Sequence, residues 1–316
     1  MNDTSSTPDP RELGVPTELV HETARALRNA DTSLGAFLKN LATDFPAGTP
    51  AHQDDEFISK AHHKRRSPLR WIRSWNDWTT GLSLTNASDH VLAIQRVLEA
   101  GAPVSVWPCV SLSRVVTEGC ARVCHVRDPK ATSEERFARG AAAWLDSCQQ
   151  HLTAARGFYP ERTLSEAEEA WKKAERKVTE AGIVIGLDRK GRPSRVTLGA
   201  TTVNLSASLV DILRARPSHP PSWYRIASGA SHNMTWLVQQ AAAPSADGMT
   251  ALRADPATII ASALAVLGAY EDVTHTFGTY FGHEGTAAAV RTVQGRTLAV
   301  VDLGKRWERQ MEKDVR

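Results

Sequence analysis

Apolar residues return at three- and four-residue intervals along most of this chain, which is the spacing of one face of an α-helix. After a polar lead of about 16 residues with prolines at 8, 10 and 16, expected to be disordered, Leu19, Thr23 and Leu27 and then Leu34, Phe37, Leu38 and Leu41 predict one long or two short helices. The stretch "GTPAHQDDEF" interrupts that pattern. Ser67 and Pro68 then supply a cap and a first-turn proline for "LRWIRSWNDWTTGLSL". A separate helix is expected for "NASDHVLAIQRVLEAG", capped by Ser88 or Asp89 and stopped by Gly101. A buried helix from near Pro108 follows, then one capped by Thr132 or Ser133, then the densely charged "TLSEAEEAWKKAERKVTEAG", which ends at Gly182.

Two β-branched runs around Arg189-Lys190-Gly191 read as a hairpin inserted at about 183–198. Helical spacing resumes in "NLSASLVDILRAR" and, after "PSHPP", in a helix capped by Ser222. A long apolar helix runs from Pro256 to about Phe281, with its stripe through Ile260, Leu264, Leu267, Thr274 and Phe277, and the later run "TLAVVDLG" suggests a strand. The expected fold is an all-α bundle with a small β-hairpin. Residues 17–285 form its main domain and 286–316 a C-terminal extension.

Composition changes this picture little. The 316 residues are 41% hydrophobic and 23% charged with a formal net charge of +3, near the globular average, so a polyanion would need a local patch rather than the bulk charge. Cys109, Cys120, Cys124 and Cys148 lack zinc-knuckle spacing and read as buried thiols rather than metal ligands, although Cys120, Cys124 and His125 could share one helical turn. The N-terminus has no apolar signal core, and no stretch reaches the ~18 to 20 uninterrupted apolar residues of a membrane span. A cytoplasmic protein is expected. Phosphate-loop, nucleophile-elbow and dinucleotide fingerprints are missing, so neither a nucleotide-dependent enzyme nor a serine hydrolase is expected, and no metal or other cofactor is expected either.

Candidate chemistry concentrates in "WYRIASGASHNM". Seven positions on a helix bring Arg225 and His232 to within about 20° of one another and about 10.5 Å apart along the axis, with Gly229 on the same face. Arginine and histidine suffice for metal-independent RNA cleavage: the imidazole moves a proton at neutral pH, the guanidinium forks onto phosphate oxygens, and the 2′-hydroxyl is the nucleophile. An interhelical hydrogen-bonded contact is the alternative role for the pair. Arg114 and Glu118, four apart in an otherwise apolar helix, are either a buried structural pair or orienting groups for the cleft, with Tyr224 and Ser228 beside the motif. Arg136 and Arg139 share a face of the next helix and are expected to be paired.

Lys64, Arg65, Arg66, Arg70 and Arg73 make a basic run before and within a helix N-terminus, where the macrodipole disfavours positive charge; they form either an RNA-steering patch or a solvated loop. Trp71, Trp75 and Trp78 form a stripe of core or interface character rather than a base-stacking platform.

The segment "RIASGASH" resembles the motif of the HEPN superfamily, all-α bundles whose ribonuclease members carry an arginine, four to six intervening residues and a histidine near the start of a late helix. The wider layout from "SDHVLAIQRVL" through "SRVVTEGCARV" and "EERFARGAAAWL" also looks like actinobacterial helical proteins of HEPN-like type. That resemblance implies catalytic roles for Arg225 and His232, a homodimer with a composite cleft, RNA as substrate, and a toxin or antiphage setting. A non-catalytic helical module binding RNA or a protein through the same cleft is the second expectation.

Overall fold

The structure is a computed structural model; it describes residues 17–41, 45–100, 106–158, 161–216, 218, 221–232, 234, 242–244, 250–252 and 256–314. The expected all-α bundle with a small β element is what it shows. In chain order the elements are α1 (Thr17–Lys39), α2 (Pro50–Lys60), α3 (His63–Glu99), α4 (Val106–Val126), α5 (Ser133–Phe158), α6 (Glu161–Glu180), β1 (Val184–Leu187), β2 (Pro193–Leu198), β3 (Thr201–Asn204), α7 (Leu209–Arg214), α8 (Pro221–Ser231), β4 (Ala242–Pro244), β5 (Thr250–Leu252), α9 (Pro256–Phe281) and α10 (Thr286–Asp314).

Four elements depart from the sequence expectation, among them α8, which begins at Pro221 so that Ser222 lies inside it rather than capping it. The "GTPAHQDDEF" stretch holds α2, whose start is capped by the Thr49 hydroxyl accepting from the His52 amide at 3.2 Å, with Pro50 at the first helical position. Helix α3 runs unbroken for 37 residues, roughly 55 Å, so neither Ser67 nor Asp89 caps a helix and Pro68 sits inside one. Pro68 lies past the first turn, so it leaves the Lys64 carbonyl without its intrahelical donor and crowds it with the ring. The run "TLAVVDLG" is helical, because Val293, Val300 and Leu303 of α10 enter the hydrophobic core with α1 and α9.

Two hydrophobic cores are strung along α3. Its C-terminal half, through Ala87, Val91, Ile94 and Leu98, packs with α1, α4, α9 and α10; its N-terminal half, through Leu69 and Ile72, packs with α2, α5, α6 and the small sheet. Helix α9 is long and apolar enough to cross a bilayer by length and composition, yet 72% of that window is buried within the bundle, as suits its central helix. The inserted hairpin is present and gains a third antiparallel strand, with Val184 opposite Thr197 and Val196 opposite Val203. Its turn is built by Asp188, whose carboxylate accepts from the amides of Lys190 and Arg192, and by Gly191 at φ 73°.

A buried ionic cluster fills the seam between the cores. Asp54 accepts three hydrogen bonds of 2.7 to 3.1 Å from Arg136 and one of 2.7 Å from the Tyr280 hydroxyl. Arg127 donates to Tyr280 at 3.0 Å and to Asp77, and both guanidinium groups lie over the Tyr280 ring. The remaining Arg136 donors reach the carbonyls of Asp128, Ala131 and Pro50 and the Ser133 hydroxyl. Arg139 is also paired, with Asp128 at 3.4 Å and Glu135 at 2.5 Å. The expectation that these helix arginines are paired therefore holds.

Candidate functional site

Helix α8 lies against α4 and α7, and buries Ala227 with Trp223 and Ala230 packed on the first core. This packing leaves Arg225 exposed. The helix is shorter than its apolar pattern suggests. His232 follows the last helical residue, its amide still bonded to the Ser228 carbonyl at 3.0 Å, while the Met234 amide returns to the Gly229 carbonyl at 2.9 Å in a six-to-one closure of Schellman type.

The side chains that meet are not the expected pair: Arg114, rather than Arg225, approaches His232. His232, exposed at the helix end, has its Nε2 at 3.5 Å from Arg114 Nη1, an atom that can only donate. Read as a hydrogen bond, the contact makes Nε2 the acceptor. Arg114 Nη2 donates to the Tyr224 hydroxyl at 3.4 Å, and the guanidinium lies 5.3 Å from the Tyr224 ring centre. Glu118, one turn along α4, stands 3.8 Å from Arg114 Nε and 3.9 Å from Arg122. All these contacts are long, and Arg114 Nε is buried with no hydrogen-bond acceptor. Among the described residues nothing takes up that donor.

Of the residues singled out by sequence, the structure gathers Arg114, Glu118, Tyr224 and His232. Ser228 contributes its carbonyl to the His232 turn. Arg225 makes no side-chain hydrogen bond or ion pair with the described residues.

The basic run lies elsewhere, on the first turns of α3 beside the second core. Arg65 donates to the Ala181 carbonyl at 2.7 Å, closing the C-terminus of α6, and Arg66 to the Ala61 carbonyl at 2.9 Å. Arg73 pairs with Asp55 and covers the Phe45 ring at 5.4 Å. Lys64, Arg66 and Arg70 are exposed. Of the tryptophan stripe, Trp71 and Trp78 face solvent, and only Trp75 turns inward to stack on Trp144.

The four cysteines are buried thiols, and burial pushes the Cys109 and Cys124 thiols up to about 12. Among the described residues no group of three or more His, Cys, Asp and Glu is placed to hold a metal ion.

Sequence reasoning missed a cleft of about 580 Å³ where α3, α4 and α5 meet the edge of β3. Arg122 and His125 of α4 and Asp146 of α5 line it beside Trp75. Burial, with Arg139 adding to it, pushes the His125 imidazole down to about 4, and burial holds the Asp146 carboxyl above its ordinary value. No spacing signal links these residues, because only the packing of two helices brings them together.

Set beside known proteins, the chain matches no family model, no curated protein and no solved structure.

Proposed function

We propose that the α4–α8 face is a metal-independent RNA-cleaving site, with His232 as the proton-transfer group and Arg114 and Arg225 as phosphate clamps. The carrying observation is the 3.5 Å approach of Arg114 Nη1 to an exposed His232 Nε2, made by an arginine whose Nε has no acceptor. A phosphate oxygen entering between them would complete the guanidinium's donors and leave the imidazole beside the reacting hydroxyl. The substrate 2′-hydroxyl then gives its proton to His232 as its oxygen bonds to phosphorus. The bond from phosphorus to the 5′-oxygen breaks, and the same ring returns the proton to that oxygen, leaving a cyclic phosphate. Tyr224 and Glu118 fix the guanidinium from either side. The resemblance to HEPN ribonucleases supports this reading and adds a homodimer with a composite cleft, in a toxin or antiphage role.

The test is cleavage of labelled single-stranded RNA by purified protein in the presence of EDTA, comparing wild type with Arg114→Ala, Arg225→Ala and His232→Ala. Wild type should cut, and His232→Ala should lose on the order of 10² to 10⁴ in rate, the usual worth of a positioned acid or base. If wild type leaves RNA intact but binds it, and Arg114→Ala and Arg225→Ala weaken that binding, the face belongs to a non-catalytic binding module.

A further inference from the structure

The cleft between α3, α4, α5 and β3 is separate from the α4–α8 face and is built differently. Its walls are largely apolar, from Trp75, Val123, Leu205 and Ile212, and its volume of about 580 Å³ suits a nucleoside-sized molecule. Ala142 and Ala143 contribute only methyl groups along the α5 wall. Trp75 is held rigidly there by stacking on Trp144, with ring centres 5.6 Å apart and planes at 20°.

Three polar groups in this apolar setting keep unused capacity. The His125 ring has no hydrogen-bond partner among the described residues, and with its proton lost it presents one donor and one acceptor. Asp146 is half-buried, bonded to Gln150, and feels the charge of Arg122. Arg122 is itself half-exposed, and its ion pair with Glu118 spans a loose 3.9 Å. An acceptor and a donor of opposite charge therefore stand together beside an indole. A flat ring with adjacent N–H donors and a carbonyl on one edge would satisfy both. Guanine has that edge: N1–H and the 2-amino group face a carboxylate while O6 faces a guanidinium, and flat bases are read in this way on aromatic supports.

We propose that this cleft binds a guanine nucleoside, with Asp146 accepting from the base edge, Arg122 donating to O6 and Trp75 against the ring. The occupant is a free small molecule, and none of these three contacts is made by a residue of the α4–α8 face.

Calorimetric titration of the full chain with guanosine tests this, with inosine and adenosine as companions. Guanosine should bind saturably at one site per chain. Inosine, which lacks the 2-amino group, should bind about tenfold more weakly, and adenosine, whose edge reverses donor and acceptor, should not bind measurably. Asp146→Asn should weaken guanosine at least tenfold. Ala143→Leu, which fills the cleft without touching a charge, should abolish binding; because the two variants act by different routes, a folding defect in one leaves the other decisive. Absence of saturable guanosine binding to wild type at millimolar concentration, equal binding of adenosine, or unchanged binding in Ala143→Leu would each overturn the assignment. RNA cleavage by wild type is a separate readout, so the two sites fail or stand independently.

Discussion

Arg136 and Arg114 both project from helices into polar clusters, and the contrast between them separates groups that hold the fold together from groups that remain available. Arg136 is all but sealed from solvent, and each of its nitrogens has an acceptor: Asp54 on two sides, three carbonyls and the Ser133 hydroxyl. Arg114 is also largely buried, yet its contacts run from 3.4 to 3.8 Å and its Nε has no acceptor. A buried donor without a partner costs about 1 to 3 kcal/mol, so a cluster that serves only the fold is expected to close its bonds, as the Arg136 cluster does. The open cluster is the one beside exposed His232. Saturation of hydrogen bonds, rather than burial of charge, distinguishes the two.

The largest effect that could break this contrast lies at Asp54. Asp54→Ala leaves the Arg136 guanidinium and the Tyr280 hydroxyl without their acceptor in the sealed seam between the cores, and should cost on the order of 3 to 5 kcal/mol in chemical denaturation. Replacing both partners, Asp54→Leu with Arg136→Met, should recover a substantial part of that loss, because no charge is then stranded. A single-variant loss under 1 kcal/mol would mean that the closed cluster does not carry the fold.

A smaller effect comes from His125. Its imidazole is held down to about 4 against an ordinary 6.5, chiefly by burial and secondly by Arg139. The unfolded chain therefore binds a proton that the folded chain refuses as pH falls from about 6.5 to about 4, and stability must fall through that window and level off below it. The ring is only partly enclosed, so the loss should be on the order of 1 to 2 kcal/mol rather than the full value of the shift. Denaturation of wild type and His125→Gln at pH 7 and pH 4.5 isolates the contribution: the variant should show a shallower loss. Equal losses would place the acid sensitivity elsewhere.

Much of the fold was legible because helical periodicity is a local signal. The stripes of α1 and α9, the Thr132 cap of α5 and the hairpin turn around Arg189-Lys190-Gly191 stood where the residues put them. The departures came where tertiary packing overrode local signs. Helix α2 looks polar because it buries only Ala51, Asp54 and Ile58. The Ser67-Pro68 pair, a helix-start signal, sits within α3 because α3 begins earlier, at His63. In α10, a β-branched run turns helical once Val293 and Val300 find the core.

The site was legible in the same partial way. Arg114, Glu118, Tyr224 and His232 were all marked and do meet. Arg65 looked like a free cation, yet its partner carbonyl lies 116 residues away in the chain. Asp146 carried no local sign at all, since its chemistry arises only where α5 faces α4.

The finest test of the contrast is the one expected to change stability least. Arg114→Met keeps a long side chain over the Tyr224 ring but removes the guanidinium. The losses are a cation–π contact worth about 0.5 to 1 kcal/mol and a long ion pair with Glu118 worth about 0 to 1 kcal/mol. The gain is release from burying an Nε donor with no acceptor, about 1 to 3 kcal/mol. These terms nearly cancel, so the denaturation midpoint should correspond to a change within about 1 kcal/mol of wild type, in either direction, while any RNA cleavage collapses. A loss of 3 kcal/mol or more would make Arg114 a second structural arginine like Arg136, and the α4–α8 face would then have no spare donor to offer a phosphate.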